Sequence, residues 1–447
     1  MFMHTIVGLE HRRIAMSLPR IIALATIALL VAAPPEVSAQ CAAGLPAEGA
    51  AVPGPLPVFP PDNWWNADIS AAPVDPGSAQ YIAFINNGGA RRLHPDFGGE
   101  AEPGGTAIYG IPYVVVSGST PKVAVEFDYA DESDGVDHAS GQSLPFYPIP
   151  AQAITTPHWV EGGSPGNVDQ RGEADRHLIV VDCAARGLYE LYNVFYDTAE
   201  ARWRGGSGAF FDMNANARRP DGWTSADAAG LAIFPGLVRY DEAGDPAIAE
   251  IGHAFRVTVR ATDGYVFPAS HAAGGTAGAL PMGARLRLKA SAGGVDPASR
   301  TADPVARKIF RAMQKHGLIV ADNGSDMYVT GTFDTRWDND LLNPAFALLS
   351  ASDFEVVQLG WKPSADPSAV TVVEYRHAAW DHYFITAIAD EITALDSGAF
   401  PGWSRTGRTF AAWALGSAGR AAVCRFFSVA FAPKSSHFYT AICDACA

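Results

Sequence analysis

The chain has 447 residues, of which 48% are hydrophobic and 18% charged, and its formal net charge is −15. The hydrophobic fraction is large enough for a packed core and excludes a disordered chain. The acidic balance, without any block of Lys or Arg residues, argues against a nucleic acid or an anionic membrane surface as the partner.

The first 39 residues have the pattern of a secretory signal peptide. Three arginines within the first 20 residues precede an apolar run over residues 21–33, and Val37–Ala39 fits the cleavage site that follows such a run. The apolar run is shorter than the roughly 20 residues that span a bilayer. We therefore expect cleavage after Ala39 and a secreted or periplasmic protein without a membrane span.

The five cysteines all follow the predicted cleavage site, in a compartment where disulfides persist. Because five is odd, at least one thiol is unpaired or pairs between chains. Cys424 and Cys443 bracket one short segment and are the pair we expect. Cys443 and Cys446 have the spacing of a zinc knuckle, but no partner ligands accompany them, so no metal site is predicted.

Composition divides the rest of the chain. Residues 40–60 are rich in Ala, Pro and Gly without periodicity, which predicts a stiff linker. A main domain is expected over residues 61–360, followed by a second short linker at 361–370. Residues 371–447 then form a separate C-terminal module.

The main domain is predicted to consist mostly of short strands. Segments at 122–129 and 253–260 alternate apolar and polar residues, as half-buried strands do. Further segments rich in β-branched or aromatic residues lie between turn residues, at 108–116, 177–182, 187–196, 236–240, 285–290, 318–321 and 355–359. Strands separated by turns favour a mainly β domain, an antiparallel sandwich or jelly roll, over a parallel α/β fold.

One helix has clear start and stop signals. Asp303 is a good N-cap, Pro304 suits the first helical position, and Gly317 can adopt the left-handed conformation that ends a helix. The apolar residues between them lie on one stripe. A second helix is expected over residues 341–349.

The C-terminal module is internally repetitive. His382-Tyr-Phe-Ile-Thr-Ala387 is echoed by His437-Phe-Tyr-Thr-Ala441, with the two histidines 55 residues apart. A unit of this size usually stacks on its neighbours to bury its apolar face. The second copy ends almost at once, so we expect either a truncated module or one that closes on the main domain.

Two resemblances follow from these and other motifs. With His382–Ala387 and the motifs Phe400-Pro-Gly-Trp403 and Phe410-Ala-Ala-Trp413, the tail resembles a repeat module of unknown function in secreted bacterial proteins. Through Arg219-Pro-Asp-Gly-Trp-Thr-Ser-Ala-Asp-Ala-Ala-Gly230 and Ala321-Asp-Asn-Gly324, the main domain is similar to uncharacterised exported bacterial proteins. These resemblances imply export and a shared fold, and they imply no reaction.

Residues 212–242 are the segment richest in candidate ligand-binding side chains. Sugar-binding clefts combine an indole for stacking with Asp, Asn and Arg partners for hydroxyl groups. The candidates for contact with substrate are Asp212, Asn214, Arg219, Trp223 and Arg239. The alternative is an ordered loop whose polar side chains bind their own backbone.

Histidines supply the first candidates for acid–base chemistry. His177, in Asp175-Arg176-His177, and His253 both stand at the start of predicted strands that could be neighbours. A histidine titrating near neutral pH can exchange a proton in hydrolysis or in β-elimination. Asp175 can orient the His177 ring. Each histidine taken singly is more often a hydrogen-bonded structural residue.

Carboxyl groups supply the second set of candidates, because most glycoside hydrolysis needs a pair of them. Glu190, between two tyrosines on a strand, and Asp227 are the residues we select, and Glu161 before two glycines has suitable surroundings. Asp227 also fits a helix-capping box. The acidic loop 131–138 could bind Ca²⁺, but a solvated loop is the preferred interpretation, so no cofactor is predicted.

No nucleotide-binding glycine loop, Walker motif or zinc-protease motif occurs in the chain. The leading hypothesis is therefore a secreted carbohydrate-active protein, a polysaccharide hydrolase or lyase acting on an extracellular polysaccharide or cell-surface glycan. The alternative is a non-catalytic glycan-binding protein or adhesin. The residue pattern alone leaves open whether the protein is an enzyme.

Overall fold

The computed structural model describes residues 41, 44–54, 56–102, 105, 107–162, 167–169, 175–363, 369–413, 424–428 and 436–440. The chain forms two compact units, one within Ala32–Pro363 and one within Ser364–Ala447. The division falls in the segment that composition predicts to be a linker. The predicted signal peptide and the predicted Cys424–Cys443 pair lie at least partly outside the described residues.

Strand residues outnumber helix residues by 31% to 16%, which confirms a mainly β chain. The strands of the first unit are β1 (Ala47–Glu48), β2 (His94–Asp96), β3 (Tyr113–Val116), β4 (Val125–Phe127), β5 (Val136–Asp137), β6 (Gln142–Ser143), β7 (Leu178–Asp182), β8 (Gly187–Tyr192), β9 (Phe195–Asp197), β10 (Arg202–Gly205), β11 (Ser207–Asp212), β12 (Phe255–Val259), β13 (Thr262–Tyr265), β14 (Leu280–Met282), β15 (Arg285–Leu288), β16 (Leu318–Asn323), β17 (Tyr328–Thr330) and β18 (Phe354–Val356). Its α-helices are α1 (Ser78–Asn86), α2 (Tyr240–Ala243), α3 (Pro304–Lys315) and α4 (Asn339–Phe346). Short 3₁₀ helices lie at Ala130–Glu132, Ala151–Ile154, Phe234–Gly236, Pro297–Arg300 and Ala351–Asp353.

Three sheets organise this unit. A five-stranded sheet has the order β1-β3-β7-β8-β11, a three-stranded sheet β4-β10-β9, and a six-stranded sheet β18-β15-β16-β12-β17-β2. Parallel pairing occurs in each of them, between β3 and β7, β4 and β10, β12 and β16, and β2 and β17. The expectation of purely antiparallel pairing was therefore wrong, because the crossovers return strands in the same direction.

The five-stranded sheet is covered on both faces. One face shares a core with the three-stranded sheet, through residues such as Val114, Val180 and Trp203. The opposite face packs on Val58 and Phe59 and on the segment 232–237. The described residues between 41 and 60, a stretch predicted to be a linker, thus pack on the domain, and a disulfide joins Cys41 to Cys183 just after β7.

The six-stranded sheet carries the best-predicted helix. The Asp303 side chain accepts a hydrogen bond of 2.7 Å from Ala306 N and caps α3, as expected. Apolar residues of α3 and α4 enter one core with β12 and β16. Gly317 ends the turn after α3 with φ of +80°, and a Cβ there would lie 2.7 Å from the Leu286 carbonyl oxygen.

Two strand predictions fail in an informative way. Residues 236–240 form no strand; Val238 makes a single bridge to Gly331, and α2 begins at Tyr240. Strand β12 is buried along its whole length instead of on one face. Both faces of the six-stranded sheet are covered at β12, so Arg256 is buried and must find a charged partner.

The second unit has its own small core. It contains β19 (Ala369–His377), β20 (His382–Thr386), α5 (Ala389–Asp396), β21 (Trp403–Trp413), β22 (Cys424–Ser428) and β23 (Ser436–Thr440). The sheet β20-β19-β21 packs on α5 through Tyr375, Phe384 and Leu395. The hairpin β22-β23 joins it where the Tyr439 hydroxyl donates to the Ile385 carbonyl oxygen at 2.8 Å. The second repeat therefore contacts the first repeat.

Across both units, the described helices include none that is long and apolar enough to cross a lipid bilayer.

Candidate functional site

Glu161 and His177 form a reciprocal pair at the start of β7. Glu161 N donates to the His177 carbonyl oxygen at 2.9 Å, and His177 Nδ1 lies 2.6 Å from Glu161 Oε2. His177 Nε2 lies 3.0 Å from the carbonyl oxygen of Ala226. Both ring nitrogens therefore face acceptors, and both can donate only when the imidazole is protonated.

The electrostatics of the pair agree with that geometry. Burial alone would lower the pKa of His177, but the Glu161 carboxylate raises it to about 9. Burial alone would raise the pKa of Glu161, but His177 lowers it overall. His177 is thus a buried imidazolium at neutral pH, and Glu161, with 24% of its side chain exposed, is a carboxylate held in place by it. The expectation of a His177 ring titrating near neutrality does not fit this environment.

Arg256 forms a second charged group, on β12. Its Nε and Nη2 donate to the two carboxylate oxygens of Asp227, both at 2.8 Å. Nη2 also donates to Asp322 Oδ2 at 2.9 Å, and Nη1 donates to the Thr330 hydroxyl at 2.8 Å. Bidentate pairing of this kind fixes both partners, which a buried guanidinium requires.

Asp322 differs from Asp227 in its exposure. The Asp227 side chain is fully buried, whereas 24% of the Asp322 side chain is exposed. Burial raises the pKa of Asp322 to about 6, and the Asp227 carboxylate adds to the rise while Arg256 opposes it. Asp322 therefore exchanges a proton in the mildly acidic range.

Two further carboxyl groups, those of Asp96 and Asp175, interact electrostatically with these residues. Burial raises the pKa of Asp96, at the end of β2, and the charges of Glu161 and Asp175 raise it further. Asp175 also raises the pKa of Asp322. These electrostatic couplings define one carboxylate cluster, composed of Asp96, Glu161, Asp175, Asp227 and Asp322 around His177 and Arg256.

Local backbone features position the cluster. The register of β12 against β16 shifts between Val257 and Thr258, so that Ala321 has no partner residue. The Ala321 carbonyl oxygen instead accepts a hydrogen bond of 2.9 Å from Ala229 N and docks the loop that carries Asp227. Gly230 closes this loop with φ of +70°, where a Cβ would lie 2.1 Å from the Ser270 hydroxyl. Only glycine fits there.

Glu190 lies away from solvent, contrary to the idea that it points into an open face. It is fully buried on β8, and its two oxygens accept hydrogen bonds of 2.8–3.0 Å from the backbone N–H groups of Ile233 and Phe234. Burial raises its pKa to about 7. These contacts anchor the segment after the Asp227 loop to the five-stranded sheet.

His253 belongs to a different group. Its Nε2 lies 3.0 Å from both Arg239 Nη2 and Glu242 Oε2, beside a cavity of about 430 Å³ lined in part by Arg239 and Glu242. His253 precedes β12 of the six-stranded sheet, whereas His177 precedes β7 of the five-stranded sheet. The two histidines are therefore not on neighbouring strands, which the sequence pattern had left open as an arrangement.

The other candidate substrate contacts do not converge on the cluster. The Arg219 guanidinium binds Asp134 and lies 5.3 Å from the Trp223 ring. Asp212 and Asn214 hydrogen-bond to each other at the end of β11. Ser207, at the opposite end of β11, is the residue that contacts the Asp227 loop, through Ser225 O at 2.7 Å. The polar side chains of this segment thus bind mainly to nearby groups of the protein itself.

The acidic loop 131–138 uses its carboxylates in the same way. Asp134 binds Arg219, Glu132 accepts from Thr224 N at 2.9 Å, and Asp137 accepts from Ser140 at 2.6 Å. Within the described parts of the chain, no group of three His, Cys, Asp or Glu residues has the arrangement of a metal site.

Residue reasoning missed Asp96, Arg256 and Asp322 as members of a site. His94-Pro-Asp96 and Ala321-Asp-Asn-Gly324 are visible as motifs, and a lone arginine within an apolar strand is a usable signal for Arg256.

Comparison with protein-family models, curated proteins and solved structures found no match in any of the three.

Proposed function

We propose that the protein is an exported glycoside hydrolase in which Glu161 and Asp322 are the two reacting carboxyl groups. The observation that carries the proposal is the opposite displacement of their pKa values within one charged cluster. The pKa of Glu161 is lowered and that of Asp322 is raised to about 6. Two carboxyl groups separated in this way can work as base and acid at the same pH.

The roles follow from the protonation states. Asp322, when protonated, donates its proton to the glycosidic oxygen of the leaving sugar. The Glu161 carboxylate either removes a proton from the attacking water or itself attacks the anomeric carbon. In the second case water, deprotonated by Asp322, then hydrolyses the glycosyl–enzyme bond and releases Glu161. Water supplies the new hydroxyl group in both cases. His177 is a positioning residue, because its contact of 2.6 Å holds Glu161 ionised and oriented.

Charge favours a hydrolase over a lyase in this cluster. The cations His177 and Arg256 are already engaged by Glu161, Asp227 and Asp322, and a third cation, Arg176, is attracted to Glu161. The substrate of a polysaccharide lyase carries uronic carboxylates, which need a cation for neutralisation. The five carboxyl groups of the cluster outnumber its cations and would repel such a polymer. A neutral or cationic glycan is therefore the better substrate.

Export and scaffold are part of the same proposal. The N-terminal pattern favours secretion, and a disulfide between Cys41 and Cys183 suits an oxidising compartment. The core shared by the five-stranded and three-stranded sheets supports a sandwich-like scaffold.

The test is the release of reducing ends from a panel of neutral, amino and uronic polysaccharides. Glu161→Gln and Asp322→Asn should each lower turnover by about 10²-fold or more, because each removes one proton-transfer partner. Glu200→Gln, which changes an exposed carboxylate in a surface ion pair, is the matched control and should leave turnover unchanged.

Three outcomes would contradict the proposal. Unsaturated products from a uronic polymer would indicate a lyase. Glycan binding without cleavage would favour the adhesin alternative. Full activity in folded Glu161→Gln would remove this cluster from the reaction.

A further inference from the structure

Arg285, at the start of β15, is a buried arginine without the carboxylate partner that a buried guanidinium usually has. Only 5% of the residue is exposed. Its Nη2 donates to the Trp64 carbonyl oxygen, Nη1 reaches the His316 carbonyl oxygen at 3.5 Å, and Nε has no hydrogen-bond partner. Two neutral carbonyl groups, one of them at the limit of hydrogen bonding, are thus the partners of a full positive charge.

The other buried arginines show how this chain normally treats such a group. Each is close enough to a carboxylate to feel its charge, and four of them bind one directly: Arg219 with Asp134, Arg239 with Glu242, Arg256 with Asp227 and Arg287 with Glu355, whereas Arg176 interacts with Glu161 without a direct bond. For Arg285, burial lowers the pKa to about 10, and no carboxylate among the described residues opposes that effect. A buried charge without a counter-charge is strongly unfavourable.

Arg287 provides the closest comparison, because it lies two residues further along the same strand. Its Nε and Nη2 donate to Glu355 Oε1 at 2.9 and 2.7 Å, and its Nη1 donates to backbone carbonyl groups that include Ala72 O. All of its nitrogens therefore have acceptors. The same strand thus carries one neutralised and one unneutralised arginine.

The two residues whose carbonyl groups bind Arg285, together with Trp65, carry buried polar atoms without hydrogen-bond partners. Trp64 Nε1 and Trp65 Nε1 are buried without partners, and so is His316 Nε2. The His316 ring uses Nδ1 to donate to the Ala67 carbonyl oxygen at 3.1 Å, so its Nε2 is a lone pair when the ring is neutral. Buried polar atoms without partners are rare in folded proteins, and the N–H groups of Arg285 Nε, Trp64 Nε1 and Trp65 Nε1 need an acceptor.

We propose that Arg285, with the neighbouring indole N–H groups of Trp64 and Trp65, forms a buried binding site for a monovalent anion of about the size of chloride. The ion supplies the missing negative charge and accepts the unused N–H groups. A single net charge on the protein side favours a monovalent ion over phosphate or sulfate.

The role of the anion site is separate from the proposed hydrolysis. The bound ion would hold the segment 63–67 against the six-stranded sheet. Trp65 in this segment lies against Gly236, where a Cβ would meet both the indole ring at 2.6 Å and the Arg256 Cβ at 3.2 Å. Anion binding therefore supports the packing behind Arg256 without contact with substrate.

The experiment measures thermal unfolding of the full chain in sodium chloride, bromide, fluoride and gluconate at constant ionic strength. Chloride and bromide should raise the Tm by about 2 °C or more relative to gluconate, because a ligand that binds only the folded state stabilises it. Arg285→Met should remove this dependence. Arg287→Met is the matched control: it loses the Glu355 pair and unfolds at lower temperature, but keeps the halide dependence.

A second measurement keeps the test independent of how the variants fold. Anomalous diffraction from crystals of the unaltered chain grown in bromide should place an ion within hydrogen-bonding distance of Arg285 Nε. A Tm that is equal in chloride and gluconate, or bromide only on the surface, would overturn the proposal. Cleavage of glycans can fail or succeed without affecting either result.

Discussion

At the scale of single residues, the surroundings of Asp322 and Glu161 shift the pKa values of these two carboxyl groups in opposite directions. Asp322 keeps its proton up to a pH of about 6, whereas His177 holds Glu161 ionised below its usual range. Activity then needs a protonated Asp322 and an ionised Glu161 together. The environment, more than the residue type, separates the acid from the base.

We expect a pH–rate profile with its alkaline limb centred near 6. Asp227→Asn removes the neighbouring carboxylate that raises the pKa of Asp322, so the alkaline limb should move to lower pH. The measurement is kcat/KM against pH for both proteins. An alkaline limb that stays in place in the folded variant would show that Asp322 is not the titrating acid.

Glu190 should be important for stability and not for proton transfer. Glu190→Ala leaves the N–H groups of Ile233 and Phe234 buried without an acceptor, at a cost of about 2–4 kcal/mol in the free energy of unfolding. Urea unfolding at pH 8 measures the loss. Conversely, if Glu190→Ala were stable but had greatly reduced turnover, Glu190 would be one of the reacting groups and the prediction would be wrong.

The charged pair at His177 predicts a pH dependence of stability. Its pKa is about 9 in the folded protein and near 6.5 when unfolded, so the folded state holds the extra proton. The stabilisation is complete below about pH 6.5 and is lost as the pH rises through 9. Urea unfolding between pH 6 and 10 should show this decline, and His177→Gln should flatten it.

At the scale of elements, the loop between Ser225 and Gly230 determines where the charges meet. The Ser225 hydroxyl accepts from Asp227 N at 2.9 Å, and the loop docks on the irregularity at Ala321. Asp227 then reaches Arg256 on a separate strand. A short irregular segment therefore joins the candidate residues of two sheets.

Gly230→Ala tests this loop. The added methyl group meets the Ser270 hydroxyl, and φ of +70° is unfavourable for alanine, so unfolding free energy should fall by about 1–3 kcal/mol. Gly252→Ala is the matched control, because open space surrounds its Cβ position. Equal effects at the two positions would mean that the loop does not depend on Gly230.

At the scale of the whole molecule, the N-terminal segment is part of the main unit. The disulfide between Cys41 and Cys183 joins positions 142 residues apart, and the segment between Ala47 and Phe59 pairs with β3 and enters the core. A cross-link over so long a loop restricts the unfolded chain strongly.

Replacing both cysteines with serine should lower the free energy of unfolding by about 2–4 kcal/mol. The unaltered protein under reducing conditions should unfold like the double variant, which controls for the substitutions themselves. Limited proteolysis should also cut the variant first within residues 44–59. Equal stability of the oxidised, reduced and double-variant proteins would contradict a structural role.

Much of the local structure was readable from residues near one another in the chain. Asp303, Pro304 and Gly317 predicted helix α3 because capping and left-handed turns depend on a few adjacent groups. The alternation at 253–260 predicted strand β12, but it could not reveal that both faces of the strand are covered. Covering depends on which distant segments pack on the faces of the sheet, and the sequence pattern of one strand does not contain that information.

The sequence by itself determined a strand-rich chain, the capped helix and the acidic net charge. Only the tertiary structure decided that His177 meets Glu161, and that Arg256 joins Asp227 and Asp322, which lie 29 and 66 residues away along the chain. Helix and turn signals act through neighbouring backbone groups. The pairing of buried charges instead depends on which distant segments fold against each other and remove them from water.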